Sequence, residues 1–157
     1  MRQFTIEIPV TEATLEELSP EDRDLVLKAR LQTETSYAPY SHFHVGAALR
    51  LDNGETVCGS NQENAAYPSG TCAERTTAFY AHARYPEAKF DTIAIAAVGT
   101  DGLELADPIA PCGACRQALL EYETLAGHDV RVILAARDRV YILPSVRSTL
   151  PLAFSEF

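Results

Sequence analysis

Thr92-Ile93-Ala94-Ile95-Ala96-Ala97-Val98 is the stretch on which the fold turns. It is rich in Ile and Ala and closed by Gly99-Thr100-Asp101-Gly102, so it reads as a short strand buried on both faces. Downstream, Pro111 leads into a helix from Gly113 to about Tyr122, with Ala114, Ala118, Leu119 and Tyr122 at helical spacing. Val130 to Leu134 and Arg139 to Leu143 are two more strands. Only four residues join them, so they must be antiparallel. A short helix near Ser145 to Leu150 follows.

Upstream, a helix spans Cys72 to about Ala83. Before it, His44–Leu51 and Glu55–Gly59 flank Asn53-Gly54, a pair suited to the positive φ angles of a tight hairpin turn. Ser19-Pro20-Glu21-Asp22 carries an N-cap serine, proline at N1 and acids in the first turn. That helix runs to about Thr35, with Leu25, Val26 and Ala29 on one face, and stops before Ala38-Pro39. Phe4 to Val10 alternates apolar and polar residues, a short strand that Pro9 confines to an edge. Strands alternating with helices predict a three-layer α/β/α sandwich around a mixed five-stranded sheet, its final two strands antiparallel. The chain, 1–157, reads as a single domain with an N-terminal extension over 1–18.

The chain has 157 residues, 13 Lys+Arg against 22 Asp+Glu, and a formal net charge of −9. That acidity argues against a nucleic-acid partner, which wants a basic face. The strongest apolar run, Ile93 to Val98, is far short of the ~20 residues a membrane helix needs. The first residues show no apolar signal core, so the expected setting is the cytoplasm. The partner class left is a small molecule or another protein.

In a reducing compartment, the four cysteines are metal-binding, catalytic or inert before they are disulfides. Cys112 and Cys115 form the only C-x-x-C; Cys58 and Cys72 stand apart. Three ligands and a spare is therefore more natural arithmetic than a four-cysteine ribbon. Cys72 and Cys112 open helices, where unpaired N–H groups and the dipole favour thiolate. Three thiolates would hold Zn²⁺ tetrahedrally and leave a fourth position for water. Glu74 would then be placed to take a proton from that water. A zinc site with a non-ligand Glu and P-C-x-x-C marks the zinc deaminases. Other readings stay open. Thr71-Cys72-Ala73-Glu74 also matches a capping box, in which Glu74 would only cap its own helix. Cys112 and Cys115 alone fit a redox pair, and Cys58 could complete a structural zinc site or be a small buried hydrophobe. His42 and His44 read as surface or loop residues.

From about Tyr37 to Phe154, the sequence resembles the small three-cysteine cytidine deaminases that act on free nucleosides. The resemblance rests on Tyr37-Ala38-Pro39-Tyr40-Ser41-His42-Phe43, Asn61-Gln62-Glu63-Asn64-Ala65, Cys72-Ala73-Glu74-Arg75, Pro111-Cys112-Gly113-Ala114-Cys115-Arg116-Gln117 and Leu150-Pro151-Leu152-Ala153-Phe154. It implies hydrolytic deamination of cytidine and deoxycytidine, with Cys72, Cys112 and Cys115 as zinc ligands and Glu74 as proton shuttle. Phe43 would flank the pyrimidine, and Asn61 and Glu63 would bind the sugar hydroxyls. Tyr67 and Phe154 would reach a neighbouring subunit's site in a homotetramer. Arg75 would donate to cysteine sulfur, draining charge from a centre that sums to −1. An alternative within the same chemistry is a related aminopyrimidine nucleoside, such as a nucleoside antibiotic. The sequence departs from the family at Gln62, Ser69 and Thr71, ends soon after Phe154, and has no family counterpart for its first 18 residues.

Overall fold

A computed structural model describes residues 1–155. Its six strands are β1 (Thr11–Ala13), β2 (His44–Leu51), β3 (Thr56–Ser60), β4 (Phe90–Val98), β5 (Arg131–Ala135) and β6 (Val140–Leu143). The three α-helices are α1 (Pro20–Gln32), α2 (Ala73–Arg84) and α3 (Gly113–Ala126). The six strands form one sheet in the order β1-β6-β5-β4-β2-β3. Only β4 and β5 are parallel, and α3 is the crossover between them. The hairpins β2–β3 and β5–β6 are antiparallel, as the short connections required.

The layers follow from side-chain alternation along β4. Ile93 and Ile95 point to one face, into a core shared with Leu49, Val132, Leu119 and Ala78, where α2 and α3 lie. Ala94 and Ala96 point to the other, against Leu25, Val26 and Ala29 of α1. Alanine on that face lets α1 come close. At Gly46 of β2 the approach is extreme, since a Cβ there would stand 2.0 Å from the Ala29 carbonyl oxygen. The helix starts obey the expected chemistry. Ser19 Oγ accepts the Asp22 N–H at 3.1 Å, and Pro20 occupies N1. Gly127, at φ +73°, ends α3 in the left-handed conformation.

The expected five-stranded sheet is corrected to six. The N-terminal segment does pair at an edge, but through Thr11–Ala13 rather than Phe4–Val10. The register sets Thr11 opposite Ile142 and Ala13 opposite Val140. Continuing it would place Pro9 opposite Pro144, where neither residue has an N–H to donate, so the ladder stops. Residues 1–10 carry no regular structure. The final short helix is a single 3₁₀ turn, Arg147–Thr149. His44 begins β2 and is half-buried beside Ser36, not a loop residue.

Candidate metal centre and substrate cleft

The N-termini of α2 and α3 meet on one side of the sheet, and each is opened by a cysteine in N-cap position. Cys72 and Cys112 sulfurs are 3.9 Å apart, Cys112 and Cys115 sulfurs 3.5 Å, and all three lie within 4.8 Å of one another. Ligands at about 2.3 Å from a tetrahedral zinc stand ~3.8 Å from each other. The three sulfurs are therefore clustered at a spacing suited to zinc. Cys58 lies in β3, half-buried among apolar neighbours facing α1, and burial pushes its thiol up. It is not part of the cluster.

Hydrogen bonding from Cys115 is the largest influence on Cys72. Burial opposes it, but Arg75 and Cys112 reinforce it, and the Cys72 thiol is lowered to about 5. The Cys115 thiol moves the other way, raised by its bond to Cys72 and by complete burial. Arg75 Nη2 stands 3.8 Å from Cys72 Sγ.

Glu74 sits at the second helical position of α2 and is 5 % exposed. Thr71 lies outside the helix and no side chain caps it, so the capping-box reading does not hold. Burial pushes the Glu74 carboxyl above the usual carboxylate range. Its own backbone N–H pulls the other way, and the Cys72 charge adds to the rise. A buried carboxyl of raised affinity for protons beside a metal site is suited to taking and returning them.

Beside the centre opens a cleft of about 620 Å³, lined by Tyr40, Ser41, Asn61, Glu63, Tyr67, Cys72 and Arg75 among others. Asn61 and Glu63 also organise its wall. Asn61 Oδ1 accepts the Val45 N–H at 2.8 Å and its Nδ2 donates to the Phe43 carbonyl at 2.9 Å. Glu63 Oε2 accepts the N–H groups of Tyr40 and Ser41 at 2.9 and 3.2 Å. The Ser41 side chain and the Tyr40 N–H hold the Glu63 carboxyl below its ordinary value. Gln62 pairs with Tyr37 on one side and Thr71 on the other, drawing the two loops together. Phe43 is half-buried behind this wall and does not line the cleft. Phe154 does not line it either; its carbonyl accepts from Gln117 Nε2 at 2.9 Å. Tyr67 is at the cleft, 91 % exposed.

Sequence reading missed Tyr40 and Ser41 as cleft residues, and it missed Arg116 and Glu123. Arg116 Nε donates to the Pro111 carbonyl and Nη1 to the Thr149 carbonyl, both at 2.7 Å. Buried Glu123 accepts N–H groups of Val130, Val146 and Arg147. Arg116 lies within the Pro111–Gln117 stretch that carries the resemblance, which was the available signal; a charged residue on a helix's buried face was the signal for Glu123.

Fold and site together define an α/β/α protein with a three-cysteine zinc centre at paired helix N-termini and a buried carboxyl beside it. Residues 19–126 match the family described as "Cytidine and deoxycytidylate deaminase zinc-binding region". The cytidine deaminase of Halalkalibacterium halodurans is 40% identical over 135 residues, 85% of this chain and 95% of that protein. A crystal structure of cytidine deaminase from Burkholderia pseudomallei superposes with a TM-score of 0.70 at 37% identity, covering 87% of this chain and all of that one. The cytidine deaminase of Mycobacterium tuberculosis gives a TM-score of 0.66 at 30% identity, over 88% of this chain and 100% of that one. The chain belongs to the cytidine deaminase family. Among the described residues, no helix is long and apolar enough to cross a membrane.

Proposed function

We propose that the chain deaminates free cytidine and deoxycytidine hydrolytically, giving uridine or deoxyuridine and ammonia. What supports this reading is the set of three sulfurs spaced for zinc, with buried Glu74 two residues after Cys72 and an open cleft that Cys72 and Arg75 line. Cys72, Cys112 and Cys115 would hold zinc, which would supply the Lewis acidity that makes water nucleophilic near neutral pH. Glu74 accepts a proton from the attacking water as the water oxygen adds to C4, and delivers it to N3. Glu74 then carries the second proton to the exocyclic amine as the C4–N bond breaks. One proton remains on N3 of the product and the other leaves in ammonia, so the account balances. Arg75 offsets the net negative charge of the metal centre through Cys72.

Asn61 and Glu63 bind the ribose hydroxyls with the hydrogen-bonding capacity their backbone contacts leave. Tyr67 and Phe154, 91 % and 68 % exposed, complete neighbouring sites in a homotetramer. The whole chain, 1–157, acts as one domain in the cytoplasm. The net charge of −9 favours an uncharged nucleoside over a phosphorylated one.

The test is the loss of cytidine absorbance with zinc-loaded protein, run beside deoxycytidine, free cytosine and an aminopyrimidine nucleoside antibiotic. Turnover of both nucleosides that a chelator abolishes and zinc restores is the expected outcome. No turnover by protein of full zinc content would overturn the reading, and faster turnover of the antibiotic would move the assignment to that substrate. Sedimentation of the zinc protein should show four chains per particle.

A further inference from the structure

Cys112 is the exposed member of the cysteine triad; Cys115 is fully buried and Cys72 half-buried. Packing therefore holds Cys112 least, and its sulfur still stands within tetrahedral spacing of the others. At this ligand a side-chain hydrogen bond is added to the ordinary helical one. The Arg116 backbone N–H donates to the Cys112 carbonyl at 3.0 Å, and its Nε donates to the Pro111 carbonyl at 2.7 Å. Successive carbonyls on either side of the Cys112 Cα are thus held from one residue, which orients the Cα–Cβ bond. The guanidinium is itself fixed, because Nη1 donates to the carbonyl of buried Thr149 at 2.7 Å. A planar fork can serve both carbonyls at once; a lysine ammonium can reach one.

We infer that Arg116 is a positioning residue for the metal centre, aiming the exposed ligand Cys112 by bracing it against the C-terminal turn at Thr149. The inference rests on the proposed zinc-site reading. Residues that orient ligands without touching metal typically contribute about 10- to 100-fold in metal affinity. Gln117, the next residue on α3, offers a built-in contrast: it binds the Phe154 carbonyl but nothing in the cysteine loop.

The experiment measures Zn²⁺ affinity by competition with a chromophoric chelator, for wild type, Arg116→Gln, Arg116→Lys and Gln117→Ala, with thermal melts alongside. Wild type must bind one zinc per chain; if it binds none, the zinc reading fails and not this inference. With wild type binding, Arg116→Gln should lose roughly tenfold or more in affinity, Arg116→Lys should fall between, and Gln117→Ala should match wild type. Affinity within twofold of wild type for Arg116→Gln overturns the inference. So does an equal loss in Gln117→Ala, which would assign the effect to tail docking. Should Arg116→Gln fail to fold, Arg116→Lys decides alone: wild-type affinity in the folded lysine variant counts against the inference.

Discussion

Glu74 is the residue on which the proposed chemistry depends most. Glu74→Gln keeps the shape but cannot exchange protons, so turnover should fall by about 10²- to 10⁴-fold while zinc content stays at one per chain. Retained turnover by the zinc-loaded variant would remove Glu74 from the mechanism. Cys72→Ala should instead lose the metal, read directly as zinc per chain; a full complement would remove Cys72 from the ligand set. The cysteines and Glu74 were legible in the sequence because two short motifs at helix starts carry their own geometry. Asn61 was only half legible. Its amide secures Phe43 and Val45, contacts made across the fold that no local pattern announces. Asn61→Ala should accordingly cost about 1–2 kcal/mol of stability as well as nucleoside affinity, visible as a lowered melting temperature in substrate-free protein.

Among the elements, α1 and β2 approach each other tightly, and Gly46 permits it. A methyl group at that position would meet the Ala29 carbonyl at 2.0 Å and the Thr33 nitrogen at 2.8 Å. Both obstacles are backbone, so one element must move. Gly46→Ala should destabilise by about 3 kcal/mol, measured by denaturant unfolding, whereas Gly54→Ala meets no atoms and is strained only by its φ of +86°. Elements were read correctly where a local signal exists: the Ser19-Pro20 cap of α1, the Asn53-Gly54 turn, the Ile/Ala run of β4. β1 was misplaced because Thr11-Glu12-Ala13 has no period of its own and becomes a strand only by meeting β6. Glu123 went unseen for a similar reason. Its partners lie 7 to 24 residues away and are brought to it by the fold.

At the scale of the whole molecule, one ionic cluster ties α1 to the sheet. Asp22 of α1 meets Arg131 of β5 at 2.7 Å and Arg50 of β2 at 3.2 Å, and Arg50 continues to Asp91 of β4 at 2.7 Å. Burial would raise the Asp22 carboxyl, but Arg131 and then Arg50 outweigh it and hold it below its ordinary value of 3.8. A depressed folded value means the contribution is complete above the unfolded value and disappears as pH falls through the folded one. Asp22→Asn should therefore cost about 2 kcal/mol at neutral pH, between exposed and buried pairs. The gap from wild type should close below about pH 4. Melts of both proteins across that range check it; a gap independent of pH would assign the cost to packing.

The sixth strand has a consequence for how these molecules behave toward one another. Val140-Tyr141-Ile142-Leu143 is an apolar strand, and left bare it would offer its N–H and C=O groups to any passing strand as a template. β1 occupies that template with three residues, places charged Glu12 on the new rim, and is preceded by Pro9, which has no N–H to offer. Removal of residues 1–14 should leave the centre's cysteines in place but make the protein scatter light on standing, with faster onset at higher concentration. With β1 in place, the β6 edge is no longer open to pairing with another copy of the chain.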